Sequence, residues 1–187
     1  MNGVENKNLA TKVITGEVRF SYLHVFEKTN INGEESKYSV SLLIPKSDTK
    51  TIGLIRAAIE AAKQAGVGKF GGKIPAVLKL PLRDGDEERP EDDNYAGCYF
   101  LNASSKERPG LIYKNGQKII DSTELYSGCY GYASINFYAF NTNGNKGIAC
   151  GLNNLMKTRD GEALGGRAKA EDDFSEYIVT DEDDFLG

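Results

Sequence analysis

Along most of this chain apolar and polar residues alternate with the period of a strand, and only once does the spacing change to that of a helix. Residues 13–26 read as one bent strand. Ile14, Gly16, Val18, Phe20 and Tyr22 fall on one face of it, and Glu17, Arg19 and Ser21 on the other. Asn30-Ile31-Asn32-Gly33 has the composition of a turn. Residues 37–44 then form a second strand, with Tyr38, Val40, Leu42 and Ile44 in register, and Pro45 stops it. Ser47 and Asp48 can cap a helix over residues 49–65, whose apolar stripe is Ile52, Ile55, Ile59 and Ala62. Gly66 and Gly68 end that helix.

Residues 66–96 make a long connection. Its first part, Lys69-Phe70-Gly71-Gly72-Lys73, is basic and glycine-rich; a short strand is expected at 76–80, and residues 84–93 gather seven acids around Arg89 and Pro90. Strands resume at 97–103 and 111–113, the second turning at Asn115-Gly116 into 118–121. The longest strand covers 129–141, and the turn Thr142-Asn143-Gly144-Asn145 leads to its partner at 146–152. Strands around a single helix, without strand–helix–strand alternation, predict a mainly β fold, a small barrel or sandwich.

The length of 187 residues suits one domain with a real core. No stretch of eighteen apolar residues occurs, and residues 1–11 are polar, so neither a membrane span nor a signal peptide is expected and the chain reads as cytosolic to its host. Cys98, Cys129 and Cys150 are widely spaced and read as small buried thiols. With His24 as the one histidine, a zinc site or a nucleophile–histidine pair has no support. The acids of 84–93 do not match the alternate-ligand spacing of an EF-hand and read as a solvated loop. They leave a metal-dependent nuclease as a lesser alternative. No catalytic residue, metal or cofactor is assigned, and the expectation is a binding protein rather than an enzyme.

Charge divides the chain sharply. The last eighteen residues, 170–187, hold eight acids and no Lys or Arg, so a net charge of −4 hides a basic body and a strongly anionic tail. That split predicts a body that meets polyanions and a tail that competes with them or recruits a partner. The expected division is a domain over 1–169 and a flexible tail over 170–187, ending Asp181-Glu182-Asp183-Asp184-Phe185-Leu186-Gly187.

The long strand carries the candidate chemistry. Its odd positions, from Cys129 to Ala139, are small or apolar enough for a barrel interior, while Tyr130, Tyr132, Ser134, Asn136, Tyr138 and Phe140 make an aromatic and polar outer face. Exposed rings suit non-specific binding of single-stranded nucleic acid, because every base offers a π face. The same face would also serve as a second packing layer or a protein interface, which leaves an adaptor protein as the alternative. Arg19, Lys37, Lys69, Lys73, Lys79, Arg83, Lys106, Arg108, Lys114 and Lys146 supply cations for a groove that tracks phosphates, with Arg19 and Lys37 on the strand faces opposite the core.

Three stretches give the chain a family likeness: Tyr126-Ser127-Gly128-Cys129-Tyr130, Ile135-Asn136-Phe137-Tyr138-Ala139-Phe140-Asn141 and Lys146-Gly147-Ile148-Ala149-Cys150-Gly151-Leu152-Asn153-Asn154-Leu155. Pro81-Leu82-Arg83-Asp84-Gly85-Asp86, Asn102-Ala103-Ser104-Ser105-Lys106 and Asp160-Gly161-Glu162-Ala163-Leu164-Gly165-Gly166 support it. The chain resembles a family of bacteriophage single-stranded DNA-binding proteins over most of residues 12–167. The resemblance implies an OB-fold, a five-stranded barrel that binds ssDNA across its open face with little sequence preference. It also implies a role in phage replication or recombination in the host cytoplasm, often as an oligomer. The tail is similar to those that dock partner enzymes, with Asp181, Glu182, Asp183, Asp184 and Phe185 as partner-binding residues. It departs from the bacterial form in that Leu186 and Gly187 follow the aromatic, which favours a phage-encoded partner or competition for the chain's own groove.

Overall fold

A computed structural model describes residues 10–30, 35–164 and 170–179. Its elements in chain order are β1 (Lys12–Ile14), β2 (Val18–Thr29), β3 (Lys37–Pro45), α1 (Thr49–Ala65), β4 (Arg83–Asp84), α2 (Gly85–Glu88), β5 (Cys98–Ser105), β6 (Gly110–Tyr113), β7 (Tyr130–Thr142), β8 (Asn145–Arg159) and α3 (Ala170–Asp173). Strands β2, β3, β5, β8 and β7 close a ring, because β7 pairs with both β8 and β2. All the ring's pairings are antiparallel except β5 with β8. This is the five-stranded OB-fold barrel that the sequence led us to expect.

Alternation fills the barrel as predicted. Phe20, Leu42, Ile44, Leu101, Ile135, Phe137 and Leu155 are fully buried inside it. Gly131 stands where β2 and β7 meet, and a Cβ there would lie 2.1 Å from the Met156 carbonyl oxygen, so the seam closes only around a glycine. Helix α1 packs mainly on β7 through Ile52, Ile55, Ala58, Ile59 and Ala62. Each buried isoleucine there contributes about 1.5–3 kcal/mol. Asp48 caps the helix, accepting from the Thr51 amide at 3.1 Å and from the Thr51 hydroxyl at 2.6 Å.

Several elements depart from their sequence reading. Residues 13–26 are two strands, broken at Thr15-Gly16-Glu17, where the Gly16 amide donates to the Thr51 hydroxyl at 2.9 Å and ties the corner to α1. Val13 rather than Ile14 therefore faces the core, opposite Ile135. The stretch 76–80 contributes a lone bridge from Lys79 to Gly147, and 118–121 a lone bridge from Lys118 to Ile112. Strand β8 runs on past residue 152 to Arg159, because a bulge near Asn153 hides the alternation while β6 joins it in parallel. Cys129 and Cys150 are buried, Cys98 is half-buried, and all three are free thiols.

Among the described residues no helix is long and apolar enough to cross a membrane. Phe174, Tyr177 and Ile178, just after α3, are exposed. Asp181, Glu182, Asp183, Asp184 and Phe185 lie outside the described residues.

Candidate nucleic-acid interface

The outer face of β2, β3 and β5 is a ladder of small polar side chains. One row joins Ser21, Ser41 and Asn102, and the next joins His24, Ser39 and Ser104. The Ser41 hydroxyl bonds to Asn102 Oδ1. Between the two rows β2 carries a bulge, and Tyr22 sits in it with φ at +46°, a conformation that a bulky L residue adopts only at a cost. The bulge turns the Tyr22 ring outward, 61% exposed, so it belongs to the surface and not to the core face the simple alternation assigned to it.

The acidic connection walls one end of this ladder. It folds back over β3 and β5 and buries Leu43 and Phe100 beneath Tyr95, whose ring meets Phe100 edge-on at 5.0 Å. The guanidinium groups of Arg83 and Arg89 lie 5.2 and 5.9 Å from the Phe100 ring centroid. Carboxylates of the same connection are engaged by cations: Lys46 reaches Asp84 at 2.8 Å and Asp86 at 2.7 Å, and Arg83 Nε donates to both Glu88 oxygens at 2.9 and 3.0 Å. Hydrogen bonds from Lys46 hold Asp84 and Asp86 below the ordinary carboxylate range. The acids of the connection are mostly exposed, as the solvated-loop reading expected, and three of them are latched by Lys46 and Arg83 into an ordered wall. Among the described residues no group of three or more His, Cys, Asp or Glu is placed to hold a metal ion.

Ladder and wall enclose a groove of about 490 Å³ lined by Tyr22, His24, Lys37, Arg89, Tyr95 and Asn102 among others. Burial pushes the Tyr95 phenol upward, against the opposing hydrogen bond with Ser21. Lys37 sits in the groove, while Lys106 is at its far end, 3.1 Å from Glu35, whose carboxyl it holds low. Arg108 reaches the Phe26 carbonyl beside that end at 3.5 Å. Aromatic rings, neutral polar groups and cations around an open slot can accept planar bases and a phosphate chain together.

The other residues singled out in the sequence divide into groups. Arg19 is tied to the Gly128 and Glu162 carbonyls at 3.2 and 2.7 Å. Tyr130 is covered by Arg159 at 3.7 Å and Arg19 at 5.3 Å. Lys69 donates to the Ala139 carbonyl and Lys146 to the Phe70 carbonyl, both at 3.2 Å, near the β7–β8 hairpin. Lys79 bridges to that hairpin through Gly147, on which Phe140 packs, and Lys73 is exposed in the preceding connection. Tyr132 and Tyr138 are partly exposed on β7, 36% and 40%. Lys114 lies elsewhere, in a charged cleft with Lys157, Arg159 and Asp160. The barrel thus does not gather the long-strand aromatics and all the cations into one site.

Tyr22, His24, Arg89, Tyr95, Phe100 and Asn102 were absent from the sequence-based site. The one available signal was Tyr-Leu-His-Val-Phe at 22–26, where two bulky residues in succession break strict alternation and mark a bulge.

A model of the family described as Enterobacter phage Enc34, ssDNA-binding protein, matches residues 11–186. The putative protein p50 of Acyrthosiphon pisum secondary endosymbiont phage 1 is 34% identical over 187 residues, covering 94% of this chain and 98% of that relative. The solved single-stranded DNA-binding protein from bacteriophage Enc34 in complex with ssDNA is similar with a TM-score of 0.75 and 25% identity, over 83% of this chain and 90% of that one. The single-stranded DNA-binding protein gp2.5 encoded by bacteriophage T7 shares the fold at 15% identity, with a TM-score of 0.59 over 91% of this chain and 96% of that one.

Proposed function

The chain belongs to the family of the Enterobacter phage Enc34 ssDNA-binding protein, and from that premise we propose that it coats single-stranded DNA during phage DNA replication or recombination without reading sequence. The observation that carries this is the groove over β2, β3 and β5, where the exposed Tyr22 ring stands above neutral Ser and Asn side chains, with Lys37 and Arg89 alongside. Stacking on Tyr22 would hold any base by its π face, and the cations would hold phosphates. Titration with oligo(dT) should quench tyrosine fluorescence and weaken steeply with salt; no binding at ~50 mM salt would refute the proposal.

The protein acts by binding alone. The engagement of Asp84, Asp86 and Glu88 by Lys46 and Arg83 supports this over a nuclease. Cleavage of single strands in Mg²⁺ or Mn²⁺ would overturn it. Residues 1–169 form the DNA-binding unit, and 170–187 form an anionic tail that docks replication or recombination proteins or competes for the groove in the host cytoplasm. A chain ending at residue 169 should bind ssDNA more tightly than the full chain, with the gap closing as salt rises.

A further inference from the structure

Two apolar surfaces of this chain are left uncovered, and neither belongs to the groove. The first lies on the outside of β1, β7, β8 and β6. Val13, Ala133, Leu155 and Leu111 are buried in the core, so by alternation their neighbours Ile14, Tyr132, Met156 and Ile112 point outward. Tyr132 pairs with Met156, and Met156 with Ile112, in one row across three strands. Ile14 stands one row away on β1, opposite Ser134. Ile14 and Tyr132 are 57% and 36% exposed, while Met156 and Ile112 are half-buried. Lys118, exposed, bridges to Ile112 at one end of this surface, and Lys12, also exposed, shares the outer face of β1 with Ile14 at the other.

The second surface follows α3. Helical hydrogen bonds continue beyond Asp173: the Phe174 amide donates to the Ala170 carbonyl at 3.0 Å, and the Ile178 amide to the Phe174 carbonyl at 3.1 Å. Phe174, Tyr177 and Ile178, at positions i, i+3 and i+4, therefore share one side of the turn. They are 58%, 78% and 52% exposed, so the barrel of their own chain does not cover them. Apolar anchors at that spacing are how a short helix seats on a hydrophobic surface. The turn belongs to the stretch 170–187, with eight acids and no Lys or Arg, and so complements in charge a row that ends in lysines.

We propose that the Phe174–Tyr177–Ile178 turn docks on the Tyr132–Met156–Ile112 row of a second copy of this chain, whose own turn docks in return. One chain leaves both surfaces bare, whereas a twofold exchange covers both pairs at once. The contact is separate from the groove and stands whether or not the groove binds DNA. It makes Tyr132 a contact for protein rather than for a base.

The chain has no Trp, so Tyr177→Trp places a single reporter in the turn. In the full chain its emission should shift to the blue as protein concentration rises, in step with the growth of a dimer in sedimentation. Met156→Glu, in the middle of the row, should weaken the dimer about tenfold or more, the worth of one buried apolar side chain. Phe174→Ser should do the same independently, and it lies outside the barrel, so the fold is left intact. Raising salt should also weaken the dimer. A chain still monomeric at about 1 mM, the weak end of specific association, overturns the exchange. So does a dimer that either substitution leaves unweakened, or a blue shift independent of concentration, which marks a turn folded onto its own barrel.

Discussion

The guanidinium of Arg159 lies 3.7 Å from the centroid of the Tyr130 ring, and Arg19 lies 5.3 Å from the same centroid. Arg159 also bonds Glu17 at 3.0 Å, which together with Thr158 holds that carboxyl low. Tyr130 therefore binds the end of β8 to the start of β2. Tyr130→Ala should lower Tm by about 3–6 °C. Its ssDNA affinity, measured well below that Tm, should stay within about twofold of wild type. A large affinity loss with unchanged Tm would return Tyr130 to the DNA surface.

Tyr22 should show stability and binding moving in opposite directions. Its positive φ costs about 1–2 kcal/mol in an L residue and nothing in glycine. Tyr22→Gly should leave thermal stability unchanged or raise it by up to about 1 kcal/mol, while ssDNA affinity falls roughly five- to a hundredfold. Parallel thermal melts and oligo(dT) titrations check both halves.

Salt dependence separates cations in the groove from those bonded elsewhere. Lys37→Gln and Arg89→Gln should each reduce the slope of log affinity against log salt by about 0.7, the value for one phosphate on a single strand. Lys69→Gln and Lys146→Gln, whose ammonium groups donate to backbone carbonyls, should change it less. Glu35→Gln should tighten binding by releasing Lys106 to a phosphate.

The latch at the groove wall gives a pH signature. Asp84 and Asp86 are held low and Lys46 is held high, each chiefly by the hydrogen bonds between them. The carboxylates contribute above their unfolded pKa and lose that contribution as pH falls through the lowered folded values; the lysine contributes until pH rises through its raised one. The pair therefore holds between about pH 5 and pH 10. Melting wild type and Lys46→Met from pH 7 to pH 3 should reveal a Tm gap that narrows below about pH 4. A gap of constant size would remove these carboxylates from the account.

Much of the barrel could be read from the sequence. Val40, Leu42 and Ile44 recur with a period of two and are buried in the barrel, and the stripe on α1 follows a clear cap at Asp48, so local pattern and tertiary burial agree there. The groove could not be read that way. Ser39, Ser41, Asn102 and Ser104 are small polar residues that look like any solvent-facing positions, and only the β3–β5 register brings them side by side. Tyr22 was assigned inward because a period of two carries across a bulge unchanged, whereas the real strand gains a residue there. The partners of the acidic connection were equally hidden, since Lys46 lies far from Asp84 and Asp86 in sequence.

The ring closure has a consequence for how the protein comes to be. β2, β3 and β5 leave the ribosome early, but the pairings that curve them into a barrel come from β7 and β8, ending at Arg159. A nascent chain halted before β7 holds an open sheet with two bare edges, which invites pairing with neighbouring chains. Such long-range closure also slows folding relative to a helical protein of the same size. The surface over β2, β3 and β5 therefore gains its final curvature only when synthesis is nearly finished.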